Sequence, residues 1–186
     1  MEFKYFGEGL TLFDNCTKLI QLTYKENTGF IYDSTTLDIL QAFHYDTTTH
    51  EGWGIAYDDL TNTLYVSDGS EWISLWHSET LKEQRRIRVT YHGEPLQFLN
   101  ELEFIRNNNK RMLLANVFTT DAIVGINPET GVVEILYDFT ELWPYHDRSH
   151  YPYVDVFNGI SNTDSTNEII ITGKFWPYMY RVKLFV

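Results

Sequence analysis

Short apolar runs separated by polar turns recur along the whole chain, and they do not follow the three-and-four spacing of an amphipathic helix. Over Leu81 to Arg88 alone a helical reading competes, and the alternation there fits a strand as well. Stacked by their turns, the runs form four units. In the first, Leu10-Thr11-Leu12 leads to Lys18 to Tyr24, to Gly29-Phe30-Ile31-Tyr32 and, past Asp33-Ser34-Thr35-Thr36, to Leu37 to Tyr45. The second takes Gly54-Ile55-Ala56-Tyr57, Thr63 to Ser67, Trp72 to Trp76 and, past His77-Ser78-Glu79-Thr80, Glu83 to Thr90. The third takes Leu102-Glu103-Phe104, Met112 to Val117, Ala122 to Ile126 and, past Asn127-Pro128-Glu129-Thr130-Gly131, Val132 to Phe139. The fourth holds three runs, Gly159-Ile160-Ser161, Glu168 to Thr172 and Tyr178 to Leu184.

The equivalent turns begin at Asp33, His77 and Asn127, a period of roughly 44 to 50 residues that suits four short antiparallel strands per unit. The expected fold is therefore all-β, a β-propeller forming a single domain over residues 1–186, with almost no helix. Polar stretches at Asn107 to Arg111 and Asn162 to Asn167 are expected to be turns within blades, and Pro144 to Pro152 belongs to a longer aromatic connection. Radial folds commonly complete the last blade with a strand from the N-terminal region. Here the chain starts on an inner strand and the fourth unit lacks an outer one. We therefore expect open sheet edges and a chain truncated at its N-terminus.

A chain of 186 residues with 43% hydrophobic and 16% aromatic content, including 13 Tyr and 12 Phe, can bury a sizeable β core. Its net charge of −12 argues against nucleic acid and against acidic membranes as partners. The single cysteine, Cys16, cannot form an internal disulfide. Neither a charged-then-apolar leader nor an apolar run of about 18 residues stands in the sequence, and the compartment stays open.

In register, the innermost segments converge on the propeller axis: Phe6 to Leu10, Gly52 to Ile55, Leu99 to Glu103 and Phe157 to Ile160. Glu8 stands between two glycines, which allow close approach of a ligand to the main chain, and Phe6 offers an apolar wall that desolvates the carboxylate. That is the setting proton transfer needs; an exposed Glu at a tight strand start is the bland alternative. Glu101 and Glu103, on alternate strand positions, point the same way and read as structural or supporting carboxylates. Asn100 and Asn158 can also be read as turn caps, Trp53 as a core aromatic and Lys174 as a solvated lysine. His146 and His150 lie four apart, but their Tyr, Pro and Asp neighbours argue against a helix, and no catalytic zinc is expected.

Across nearly its whole length the sequence resembles the propeller-type glutaminyl-peptide cyclotransferases of plants and bacteria. The resemblance rests on Phe6-Gly7-Glu8-Gly9-Leu10-Thr11, Gly29-Phe30-Ile31-Tyr32-Asp33, Gly52-Trp53-Gly54, Ser67-Asp68-Gly69, Leu99-Asn100-Glu101-Leu102-Glu103, Ala115-Asn116-Val117, Asn158-Gly159-Ile160 and Thr172-Gly173-Lys174-Phe175-Trp176-Pro177. It implies a five-bladed propeller of which this chain holds the last four blades. The first blade's Phe-Thr-Gln-Gly-Leu-like segment does not occur here. Tyr24 and Phe118 stand where the family usually has Trp, so each position stays aromatic and loses an indole N–H.

The resemblance further implies a metal-free, cofactor-free cyclisation of the N-terminal glutamine of peptides or proteins to pyroglutamate, with loss of ammonia. By the same match Glu8 moves the proton, Lys174 and Asn100 supply donors to the oxyanion, and Phe6, Tyr24, Trp53, Phe118 and Asn158 surround the substrate. Family members are often secretory-pathway or periplasmic proteins. A reading from a different class is a catalytically inactive propeller that binds peptides or protein partners.

Overall fold

The computed structural model describes residues 3–107, 110–163, 165 and 167–185. Four separate antiparallel sheets follow one another along the chain in simple meander order. The first is β1 (Gly7–Phe13), β2 (Lys18–Thr23), β3 (Thr28–Asp33) and β4 (Ile39–His44). The second is β5 (Ile55–Asp58), β6 (Thr63–Ser67), β7 (Trp72–His77) and β8 (Glu83–Arg88). A small hairpin, β9 (Thr90–Tyr91) with β10 (Glu94–Pro95), leads to the third sheet, β11 (Leu99–Asn107), β12 (Lys110–Val117), β13 (Ala122–Ile126) and β14 (Val133–Asp138). One helical turn, α1 (Tyr145–Arg148), precedes the three-stranded fourth sheet of β15 (Phe157–Asn162), β16 (Glu168–Gly173) and β17 (Tyr180–Lys183).

The repeat read from the turns is reproduced atom by atom. Asp33 Oδ1 accepts the amides of Thr35 and Thr36 at 2.9 and 2.8 Å, His77 Nδ1 accepts that of Glu79 at 3.2 Å, and Asn127 Oδ1 those of Glu129 and Thr130 at 3.0 and 3.2 Å. Each turn then closes on a residue with positive φ four positions on: Leu37, Leu81 and Gly131. Their amides donate back to the carbonyls of Asp33, His77 and Asn127. Short acceptor side chains of this kind capture backbone donors that the strands leave unpaired.

Apolar burial lies between sheets rather than within them. One cluster joins the first sheet to the second through Ile20, Leu22, Ile31, Ile55, Leu64 and Trp76; a second joins the second to the third through Ile73, Leu75, Leu102, Phe104, Leu113 and Val124. A third joins the third to the fourth through Met112, Leu114, Phe157, Ile160, Ile169 and Ile171. Middle strands are accordingly buried on both faces, as in β6, while the outermost β4 and β8 are exposed at all but one position. Asp58, fully buried at the end of β5, is met by Arg111 at 2.7 Å and Arg106 at 3.1 Å, so the second and third sheets also share a charge cluster.

The helix at α1 corrects the reading of the His146 region as non-helical. Pro144 precedes the first turn, where a missing N–H costs nothing, and Asp147 sits where the helix's positive end favours an acid. Both histidines face Asp147: the His146 ring is 2.7 Å from its carboxylate and the His150 ring 3.3 Å from its carbonyl. Among the described residues, no group of three or more His, Cys, Asp or Glu is placed to hold a metal ion. Residues 108, 109, 164 and 166, parts of the two stretches expected to be polar turns, lie outside the described residues.

Candidate active site

The inner strands meet at their N-terminal ends through backbone contacts. The Gly9 amide donates to the Trp53 carbonyl at 2.6 Å, linking β1 to the start of the second sheet. Gly54 packs so closely on the third that a Cβ there would lie 2.1 Å from the Asn100 carbonyl oxygen. The Ser67 hydroxyl donates to that same oxygen at 2.7 Å and accepts the Gly54 amide at 2.8 Å. From the fourth sheet Asn158 reaches back, its Nδ2 donating to Asn100 Oδ1 at 3.4 Å and its Oδ1 accepting the Glu101 amide at 3.3 Å. These contacts bring the starts of all four inner strands to one rim.

Glu8 is partly buried on this rim. Burial pushes its carboxyl above the usual range, the Lys174 ammonium pulls it back, and the Glu51 carboxylate pushes it up further. Lys174 ends β16's turn with its Nζ 5.9 Å from the centre of the Phe118 ring, and Phe118 meets Trp53 edge to face with centroids 5.4 Å apart. The Trp53 indole lies over Gly69, whose φ of +81° and lack of a side chain make room for it; a Cβ there would be 2.6 Å from the ring. Its N–H donates to Glu51 at 2.9 Å. Phe6 is 60% exposed and packs edge-on against Tyr24 at 6.3 Å, while the Lys25 ammonium lies over the Tyr24 ring and 3.6 Å from Glu51.

The sequence therefore brought together Glu8, Lys174, Trp53 and Phe118 as one cluster, with Tyr24 and Phe6 at its outer edge. Asn100 is 4% exposed and, with its Oδ1 turned to Asn158, presents the amide nitrogen as its donor end. Asn158 has both ends of its amide committed to β11, so it braces Asn100 and the main chain rather than capping a turn. Glu51 was not singled out from sequence. Its signal was its place two residues before Trp53, beside the glycines of an inner strand.

Below the rim, Glu101 and Glu103 line a channel of about 1040 Å³ bounded by the inner strands. Burial, then the neighbouring carboxylates, raise Glu101 to about 8. Burial raises Glu103 to about 7, against the pull of the Phe104 and Asn162 amides that it accepts.

The family model for glutamine cyclotransferases matches residues 1–184. A glutaminyl-peptide cyclotransferase of Arabidopsis thaliana is 34% identical over 184 residues, which is 99% of this chain and 54% of that protein, so the chain spans about half the length of this relative. The crystal structure of Myxococcus xanthus glutaminyl cyclase superposes with a TM-score of 0.81 at 26% identity, covering 96% of this chain and 72% of that one. The WD40 repeats of RRP9 share the fold alone, with a TM-score of 0.55 at 11% identity over 93% of this chain and 46% of that one. With its four radial sheets and a rim that gathers Glu8, Lys174 and Trp53, the chain belongs to the glutamine cyclotransferase family.

Proposed function

We propose that the protein converts the N-terminal glutamine of peptides to pyroglutamate. The α-amine nitrogen attacks the γ-carboxamide carbon, a C–N bond closes the five-membered ring, and the original carboxamide nitrogen leaves as ammonia. Nucleophile and electrophile belong to one residue, so the protein's work is to hold the folded conformer and to move protons. The observation that carries this reading is Glu8, a desolvated carboxylate of raised basicity opposite Lys174 beside two aromatic rings. Glu8 takes the proton from the amine and returns it to the departing nitrogen, a contribution on the order of 10² to 10⁴ in rate. Lys174 and the Asn100 amide nitrogen are the donors for the tetrahedral oxyanion. Trp53 and Phe118 wall the glutamine side chain, Tyr24 and Phe6 flank the opening, and Asn158 holds Asn100 in place.

A coupled ammonia assay on peptides beginning with glutamine tests this. We expect turnover above the spontaneous rate and a fall in kcat of about 100-fold or more in Glu8→Gln, which keeps shape and removes the shuttle. An unchanged rate in that variant takes the proton shuttle away from Glu8, and no ammonia from the unaltered protein leaves a peptide-binding propeller instead.

A further inference from the structure

A second cavity, of about 550 Å³, adjoins the rim and takes no part in the chemistry above. Thr119 and Thr120 on its wall follow Phe118 directly in the chain. Asp155 and Val156, on the opposite wall, are paired through their backbones with Lys174: the Asp155 amide donates to the Lys174 carbonyl and the Lys174 amide to the Val156 carbonyl, both at 2.9 Å. Two of its walls are thus chain or backbone neighbours of Phe118 and Lys174, and its volume lies within the range of ligand pockets.

Its walls are fixed. Arg148, 8% exposed, holds the 139–156 connection to the third sheet by a two-pronged pair with Asp121, at 2.8 and 2.7 Å, and braces the connection internally by a bond to the Trp143 carbonyl. Trp143 is wedged among Tyr151, Trp176 and Tyr178 at 4.9 to 5.5 Å. The charge that remains is negative. Arg148 is spent on Asp121, while Asp155 is exposed and its carboxylate accepts the Val156 amide, at 2.8 Å, with no Lys or Arg paired to it among the described residues. Tyr145, 80% exposed, and Tyr151 add aromatic faces to the same wall.

We propose that this cavity receives the residues that follow the N-terminal glutamine and selects a basic side chain among them, through Asp155 and the tyrosine rings. The proposal rests on the site being the one that cyclises glutamine. The net charge of −12 acts in the same direction, drawing cationic peptides toward the rim.

Three peptide amides, Gln-Arg-Tyr, Gln-Ser-Tyr and Gln-Glu-Tyr, test it in two ways. In turnover, kcat/KM should fall in the order Arg, Ser, Glu, with Arg about fivefold above Ser. Asp155→Asn, which retains the acceptor for the Val156 amide, should reduce that preference to about onefold, and Asp155→Lys should invert it. In calorimetric binding to the Glu8→Gln protein, the same order should appear and should vanish when Asp155→Asn is added. Cyclisation with no dependence of the preference on Asp155 overturns the subsite and leaves the enzyme reading intact. Binding that follows the predicted order without any ammonia release overturns the enzyme reading and leaves the subsite. Neither turnover nor Asp155-dependent binding overturns both.

Discussion

The indole N–H of Trp53 donates to the Glu51 carboxylate at 2.9 Å, so this ring on the rim is aimed by the same acid that adds to the raised basicity of Glu8. Glu51 and Lys174 act on Glu8 with opposite sign.

That opposition predicts the pH profile. If Glu8 is the base we propose, the acid limb of kcat/KM should follow its ionisation in the free protein. Glu51→Gln removes a negative charge and should move the acid limb to lower pH; Lys174→Met removes a positive one and should move it to higher pH, with a large loss of kcat besides. Shifts in the same direction in both variants would contradict the arrangement.

Tyr24 and Phe118 offer ring faces and no indole donor. Tyr24→Trp adds an indole N–H at the opening and Phe118→Trp one at the wall of the site, and for each we expect KM for glutaminyl peptides to drop severalfold with kcat within about twofold. A change confined to kcat would show that these rings act on the chemistry instead.

Glu101 and Glu103 set a pH dependence of stability. Their folded-state values, about 8 and about 7, lie above the ordinary 4.5, so the folded protein holds protons that the unfolded chain gives up. Their neutral forms leave stability intact below about pH 4.5, and it declines as pH rises through 7 and 8. Glu101→Gln should raise Tm by several degrees at pH 8.5 and by little at pH 5, as scanning calorimetry at the two pH values would measure.

Arg148 and Asp121 form a largely buried pair that pins the long connection. Arg148→Met leaves Asp121 uncompensated and should cost on the order of 3 kcal/mol, and Asp121→Asn should cost less. The double variant should be more stable than Arg148→Met alone, because the stranded charge is gone. Denaturant unfolding of the three proteins decides this.

The blades were legible because each outer turn repeats an acceptor side chain at Asp33, His77 and Asn127, and because alternating apolar residues specify faces that only a neighbouring sheet covers. The hairpin of β9 and β10 was not. Thr90 was read as the end of the second unit, whereas β8 stops at Arg88 and the chain reverses at Gly93 with φ +85°. Glu8, Lys174, Trp53 and Phe118 were reachable through motifs, while the through-space effect of Glu51 on Glu8 is visible only in the fold, even though its position before Trp53 stood in the sequence. The cavity beside Lys174 was equally hidden. It depends on Arg148 finding Asp121, 27 positions earlier, across an irregular connection.

Because each apolar cluster is shared by two adjacent sheets, no blade owns a core that it could keep in isolation. The rim draws Glu8 and Asn100 from the first and third sheets, Trp53 from just before the second and Lys174 from just after a strand of the fourth. Protease nicks, heat or a mutation that loosens any one blade should therefore silence the proposed activity at the same moment as it exposes that blade. On the proposed activity, loss of ammonia release becomes a gauge of ring integrity, as sensitive to damage on the far side of the molecule as to damage at the carboxylate itself.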